Sequence, residues 1–431
     1  MTSTQSGNDA GALPRLDAAD LVARAEAQPW HDPARYWGEH QTATAHLDPP
    51  IATLHWGALA WNAQDLQRRA GSMPIRVASK SLRVRSVLDA VLELPGFAGV
   101  LAYTLPEAIW LARDVPGRAG IPDVVVGYPS VDRAAIATLA ADPLLAARIT
   151  LMVDSVDHLD LIEAAAGQAA APIRVAIELD ASYEAGPLGR IGVYRSPIRT
   201  AAQARALAEA IVRRPRLRLV GMMAYEAQIA GLADNPRSAA YGSLIRFLQR
   251  RSIAELRERR GEAVAAVRAV AELEFVNGGG TGSLETTSKD EAVTEAAAGS
   301  GLFGPHLFDH YRAFSPAPAT AFALPVVRQP ANGMVTLLGG GWIASGPPGP
   351  DRVPLPVWPA DVQYLPREGA GEVQSPLKGP GAARLRTGDR VWLRHTKSGE
   401  ISEHVNELHV IDDGTVVGSV PTYRGEGQAF L

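Results

Sequence analysis

The chain has 431 residues, 42 basic and 46 acidic side chains for a formal net charge of -4, and no cysteine. Nearly balanced charge gives no electrostatic footprint for nucleic acid, and the lack of cysteine excludes disulfides, thiolate metal sites and a cysteine nucleophile. At 46% hydrophobic and 20% charged, with no apolar run of about 18 residues, the composition is that of a globular protein without a membrane span, long enough for two domains, the larger a barrel of about 250 residues.

The first residues, MTSTQSGNDAGALP, are polar and glycine-rich with no apolar core of signal-peptide length, which predicts cytoplasmic residence and a frayed start. Residues 15–30 have helical spacing, stopped by Trp30-His31-Asp32-Pro33; from 36 to 50 the pattern is weak. A strand-like run over 52–59 leads into helical spacing over 61–70. From residue 75 a strand–helix alternation begins. The expected strands are 75–79, 98–103, 123–128, 149–154, 173–180, 217–225, 273–277 and 296–302, separated by helices over 84–94, 106–113, 132–141, 156–166, 201–213, 240–270 and 284–295. Eight such repeats suit a closed (β/α)8 barrel of TIM type better than an open doubly wound sheet. In the long helix, Arg246, Arg250, Arg251, Arg257, Arg259 and Arg260 alternate with Glu255, Glu258 and Glu262, which predicts a solvated outer face rather than a nucleic-acid surface. Past residue 312 the texture turns to proline and glycine, with β-like runs at 321–327, 335–338, 389–393, 404–411 and 415–419 and a hairpin signal at Asp413-Gly414. The expected organisation is an N-terminal segment, 1–55, partly joining a mainly antiparallel β domain at 316–431, with the barrel at 56–315.

Two local signals carry chemistry. Lys80 is a lone cation where the first strand ends and a helix begins, the face on which barrels build their sites; a solvated charge is the plainer reading. Asn277-Gly278-Gly279-Gly280-Thr281-Gly282-Ser283 follows strand seven, where glycines let backbone N–H groups approach an anion and barrels place phosphate sites. It is neither a Walker A loop nor a dinucleotide fingerprint. An amine after strand one and a phosphate cradle after strand seven define one cofactor, pyridoxal phosphate, which needs a Schiff-base lysine and an anion site. Strand five is followed by Gly189-Arg190-Ile191-Gly192-Val193, whose arginine could meet an acidic substrate or a ring nitrogen, and strand six ends at Tyr225, placed to line a pocket. His306 and His310, four apart, are more simply surface residues than a metal pair.

Over roughly residues 50–431 the chain resembles the fold-type III pyridoxal-phosphate enzymes, the alanine-racemase-like barrels, and within them the D-threonine aldolase and D-serine dehydratase branch. The likeness rests on Arg76-Val77-Ala78-Ser79-Lys80, Gly189–Val193, the strand Leu219-Val220-Gly221-Met222-Met223-Ala224-Tyr225-Glu226, and Asn277–Ser283. It implies a pyridoxal-phosphate lyase acting on a β-hydroxy, D-configured amino acid, of aldolase or dehydratase type, with Lys80 as Schiff-base lysine, Arg190 near the pyridine nitrogen, and Tyr225, Asn277, Gly279, Gly280, Thr281 and Gly282 around the cofactor. It also implies a homodimer in which each β domain completes the partner's site. That branch holds a divalent metal on a His-x-Cys or His-x-Asp pair; here the place reads His395-Thr396-Lys397, and a lysine cannot replace a carboxylate or thiolate ligand. The resemblance leaves the metal open, with His395 either a residual ligand or an acid/base acting without metal. Leu82 stands where the branch has a histidine. Lys397 and Tyr423, in the tail Thr422-Tyr423-Arg424-Gly425-Glu426-Gly427, are available with His395 to close the site. The alternatives are an amino acid racemase, a non-catalytic pyridoxal-phosphate carrier and a phosphosugar-binding barrel.

Overall fold

The computed structural model describes residues 28–167, 171–347, 349–397 and 399–431. Eight parallel strands close into a barrel: Ile75–Ala78, Phe97–Ala102, Val124–Pro129, Ile149–Val153, Ile173–Glu178, Leu217–Ala224, Phe275–Gly278 and Glu295–Ala298. Each expected strand overlaps one of these. Runs such as Val124-Val125-Val126 are buried on both faces, as a parallel sheet covered by helices requires. Val125, Met152, Ala176, Val220, Met223 and Phe275 form a buried cluster of their own inside the barrel. There a Cβ at Gly221 would stand 2.4 Å from the Phe275 ring, so the glycine makes room for the aromatic. The first strand turns Arg76 inward, where Glu295 accepts from it at 2.6 and 2.8 Å and Asp123 at 2.8 Å.

Closure fixes the site. Phe275–Gly278 pairs with Leu217–Ala224 on one side and Glu295–Ala298 on the other, and Glu295–Ala298 pairs with Ile75–Ala78. The seventh strand therefore lies two places from the first, roughly 10 Å across the sheet at normal strand spacing.

The helices Arg85–Leu92, Leu105–Ala112, Arg133–Ala141, Val156–Ala166, Ala201–Val212 and Ala239–Arg268 stand where periodicity placed them. Four readings are corrected. Trp30-His31-Asp32-Pro33, expected to stop a helix, also starts one: Asp32 accepts from the Arg35 N–H and Pro33 leads Pro33–Ala43, a start signal in which the missing proline N–H costs nothing. Of the helix expected over 15–30, the described part is the single 3-10 turn Pro29–His31; the rest lies outside the described residues. The helix expected over 284–295 is one turn, Leu284–Thr287, because Asp290 accepts from the Ala292 N–H and pairs with Arg260, folding the chain into a turn. The long helix is not uniformly solvated on its arginine side: Arg260 is buried, and Arg259 donates to the Asp180 and Ser182 carbonyls.

The second layer is a nine-stranded, mostly antiparallel sheet. Ile51–His55 lies inside it, antiparallel to Thr320–Ala331 and parallel to Glu407–Asp412. Asp413 and Gly414, both at positive φ, turn Glu407–Asp412 into Thr415–Pro421 as the hairpin signal required. Among the described residues no helix is long and apolar enough to cross a membrane.

Asn62, on helix Trp56–Ala70, ties the barrel to the crossing into this sheet: its amide donates to the Leu302 and Ala317 carbonyls at 3.0 and 2.8 Å and accepts from the Ala317 N–H at 2.7 Å. Asn62→Ala strands these buried groups and is expected to lower the apparent unfolding free energy by about 3 kcal/mol in urea titration.

Candidate active site

The C-terminal ends of the barrel strands open into a cavity of about 270 Å³. Lys80, Tyr225, Asn277, Gly279, Gly280, Thr281 and Lys397 all line it, joined by Tyr128, Arg195 and Ser300, which the sequence reading had not singled out. Arg190, Gly282, His395 and Tyr423 are not part of the lining.

The strand Ile75–Ala78 runs into a tight 3-10 turn, Ser79–Ser81, that carries Lys80. Ser79 anchors the turn by donating to the Leu101 carbonyl at 3.1 Å, and the Lys80 ammonium donates to the Tyr128 hydroxyl at 3.0 Å. Burial works to raise the Tyr128 phenol, but the charge and hydrogen bond of Lys80, with Arg195 beyond, outweigh it and hold the phenol below its ordinary value.

The glycine loop is framed from behind by a buried carboxylate. Glu226 accepts from the Gly279 N–H at 3.0 Å, the Thr287 hydroxyl at 2.9 Å and Arg260 at 3.0 Å. Gly279 has φ +75, and a Cβ there would stand 2.7 Å from the Thr287 hydroxyl, so glycine is needed on both counts. At Gly282 a Cβ would meet the Ala230 carbonyl at 2.2 Å; this glycine serves packing behind the lining. The Asn277 amide donates to Glu295 at 2.8 Å and so is committed to the barrel interior. The Thr281 hydroxyl accepts from the Gly301 N–H at 3.1 Å, joining the loop to the turn after strand eight, and Arg69 donates to the Thr281 carbonyl. The N–H groups of Thr281 and Gly282 donate to no group among the described residues, which leaves donors for an anion.

Arg190 sits in a two-residue ladder with Tyr183–Glu184, its guanidinium donating to Glu184 at 2.9 Å. The guanidinium in the cavity is that of Arg195, 4.7 Å from the Tyr225 ring centroid and 5.3 Å from that of Tyr128. The two arginines stand five positions apart, and which of them turns inward depends on the path of the loop. Near Arg195, Glu178 is pushed up to about 7 by burial, with Arg195 opposing and Asp154 and Asp180 adding to the rise.

From the β sheet side, Lys397 reaches the cavity. Burial lowers its amine, and the neighbouring charges of Arg352 and Lys80 lower it further. Its backbone N–H and that of Thr396 both donate to Glu400, at 2.6 and 2.8 Å. His395 is buried, with neither ring nitrogen hydrogen bonded among the described residues, and burial, then Arg394 and His306, push its imidazole down to about 3. His306 is buried as well, held by the Val353 carbonyl and the Thr396 hydroxyl. Among the described residues no three His, Asp or Glu side chains gather as metal ligands; the buried imidazole and the ammonium at His395-Thr396-Lys397 do not fit a divalent cation. Tyr423 is buried outside the cavity, its hydroxyl donating to Glu107 at 3.0 Å.

Two curated relatives carry the name 3-hydroxy-D-aspartate aldolase. That of Paracoccus denitrificans is 29% identical over 264 residues, 60% of this chain and 61% of the relative; that of Paracoccus denitrificans strain Pd 1222 is 28% identical over 266 residues. The chain thus matches about three-fifths of the length of these relatives. Among solved structures, D-threonine aldolase from Filomicrobium marinum superposes with a TM-score of 0.72 at 21% identity, covering 88% of this chain and 96% of that one. D-threo-3-hydroxyaspartate dehydratase from Delftia sp. HT23 gives 0.65 at 20%, covering 87% and 97%. Both share the barrel followed by an antiparallel sheet. The alanine racemase N-terminal domain family matches residues 54–306, more than half of the chain, and the chain belongs to that family.

Proposed function

We propose that the protein is a pyridoxal-phosphate-dependent lyase that cleaves a β-hydroxy-D-amino acid in the aldol sense. The carrying observation is that Lys80 and the glycine loop line the same cavity. Pyridoxal phosphate is the cofactor of this family, and the residues fit it: an amine at one strand end, an unpaired Thr281 N–H in the glycine loop, and the Arg195 guanidinium between two tyrosine rings. Lys80 would hold its aldehyde carbon, Thr281 and Ser300 its phosphate, and Arg195, in place of Arg190, its ring nitrogen, with Tyr225 alongside. When bound, the cofactor supplies an electron sink for the bond broken at Cα.

The chain's own groups do the rest. Tyr128 holds the Lys80 amine in place. The Arg195 guanidinium favours negative charge beside it. Lys397, its amine lowered by burial and by Arg352 and Lys80, takes the proton of the substrate hydroxyl as general base. The acid/base role expected of His395 passes to Lys397, since the imidazole is buried away from the cavity. The name of the two curated relatives supports an aldolase, and a second amine in the cavity supports a catalyst over a mere cofactor carrier. A homodimer belongs to this reading through the family resemblance.

Borohydride reduction followed by peptide mass spectrometry is expected to place the cofactor label on Lys80, and label elsewhere overturns the proposal. Lys397→Met is expected to keep the yellow absorption but lower kcat by about 10²–10⁴-fold. Because the amine is lowered, its neutral fraction grows at a pH below the ordinary lysine range. The wild-type rate should therefore rise with pH through that lowered value, and the rise should vanish in Lys397→Met. Glu226→Ala removes the acceptor behind Gly279 and is expected to raise the dissociation constant for pyridoxal phosphate roughly tenfold in equilibrium dialysis.

A further inference from the structure

The turn that presents Lys80 is gripped from outside the barrel. Arg83, two residues beyond it, sits at φ +53, a left-handed conformation that a non-glycine residue keeps when its surroundings impose it. Its side chain donates to the Lys80 carbonyl at 3.2 Å and pairs with Glu403, and its own carbonyl accepts from the Tyr423 N–H at 2.8 Å. The next contact inward is Ser402, whose hydroxyl donates to the Leu82 carbonyl at 2.7 Å. Gly399 lies so close that a Cβ there would stand 2.5 Å from the Lys80 carbonyl. Three separate places in the C-terminal region, Gly399, Ser402–Glu403 and Tyr423, thus bear on Lys80, Leu82 and Arg83.

Tyr423 reaches further. Its hydroxyl donates to Glu107 at 3.0 Å, and the other oxygen of that carboxyl accepts from the Tyr103 N–H at 2.8 Å. Glu107 lies on helix Leu105–Ala112, which follows the strand flanking that of Lys80. The Tyr423 ring packs on Trp110 of the same helix at 4.9 Å. Burial pushes Glu107 up to about 7 while Ser79, the residue before Lys80, Tyr103 and Tyr423 oppose it. The tail is itself secured: the Gln428 N–H donates to the Tyr423 carbonyl at 2.8 Å and Glu426 pairs with Arg118 at 3.1 Å.

We propose that Tyr423 and Ser402 are positioning residues for Lys80: by pinning Arg83, Leu82 and Glu107 they hold the Ser79–Arg83 turn in the one conformation that aims the amine into the cavity. Tyr423, expected from the sequence to help close the site, acts instead through the turn. The proposal rests on Lys80 as the cofactor-binding residue, so the experiment first confirms, by borohydride labelling of the wild-type holoenzyme, that Lys80 carries the chromophore; failure there removes the functional reading and this one with it. Given a labelled Lys80, Tyr423→Phe and Ser402→Ala holoenzymes are compared with wild type by visible circular dichroism of the bound cofactor, by kcat and KM on a β-hydroxy-D-amino acid, and by thermal melting. A misaimed amine is expected to lower kcat about tenfold in each variant, with KM nearly unchanged and the visible dichroic band altered, at a temperature where the variant is fully folded. A purely structural role would lower the melting temperature while the dichroic band and kcat of the folded holoenzyme stayed at wild-type values, and that result overturns the proposal. Should Tyr423→Phe not fold, Ser402→Ala, which loses a single hydroxyl, decides on the same readouts.

Discussion

The site depends on one geometric constraint, the closure of the barrel. Lys80 and the glycine loop are about two hundred positions apart in sequence, and an open sheet with the same strands would leave them at opposite edges. The pairing of Phe275–Gly278 with Leu217–Ala224, and of Glu295–Ala298 with Ile75–Ala78, brings them two strands apart. The inward charges serve that closure. Arg76, Glu295 and Asn277 form a hydrogen-bonded chain across the first, eighth and seventh strands, joined by Asp123 just before the third, and a buried arginine of this kind is tolerated because its charge is met by carboxylates.

A second feature is how the cavity's charges are arranged. Lys80, Lys397, Arg195 and nearby Arg352 concentrate positive charge around a set of tyrosines, so that Tyr128 is held down and Lys397 is made easier to deprotonate. Behind the lining the order reverses: Glu226 and Asp290 receive Arg260, and Glu285 receives Arg69. Cations face the ligand while carboxylates sit behind the backbone that frames it, a disposition suited to an anionic occupant.

What was legible in the sequence was whatever one segment decides alone. The strand–helix alternation follows from apolar periodicity, and Lys80 and the glycine loop stood out because an amine leaving an apolar strand and four glycines after another are locally odd. Tyr128 was not legible, because an aromatic ending the run Val124–Tyr128 has the same local pattern whether it packs in a core or faces a ligand. Arg195 was hidden by Arg190, since loop path rather than composition selects which guanidinium turns inward. His395 and Tyr423 were placed near the chemistry by their sequence neighbourhood, yet both are buried behind it, a distinction made by tertiary packing alone. The misreading of Asp32-Pro33 has a plainer origin, because proline both ends helices and begins them.

The strand Ile51–His55 has a consequence for biosynthesis. It precedes the barrel in the chain, yet its two neighbours in the sheet, Thr320–Ala331 and Glu407–Asp412, emerge from the ribosome after the barrel is complete. The barrel, assembled from contiguous segments, can form early, whereas this early-made strand must wait with unsatisfied edges until Thr320–Ala331 and Glu407–Asp412 arrive. Maturation of the sheet is thereby tied to the synthesis of Glu407–Pro421, and so is the grip of Ser402 and Tyr423 on the lysine turn.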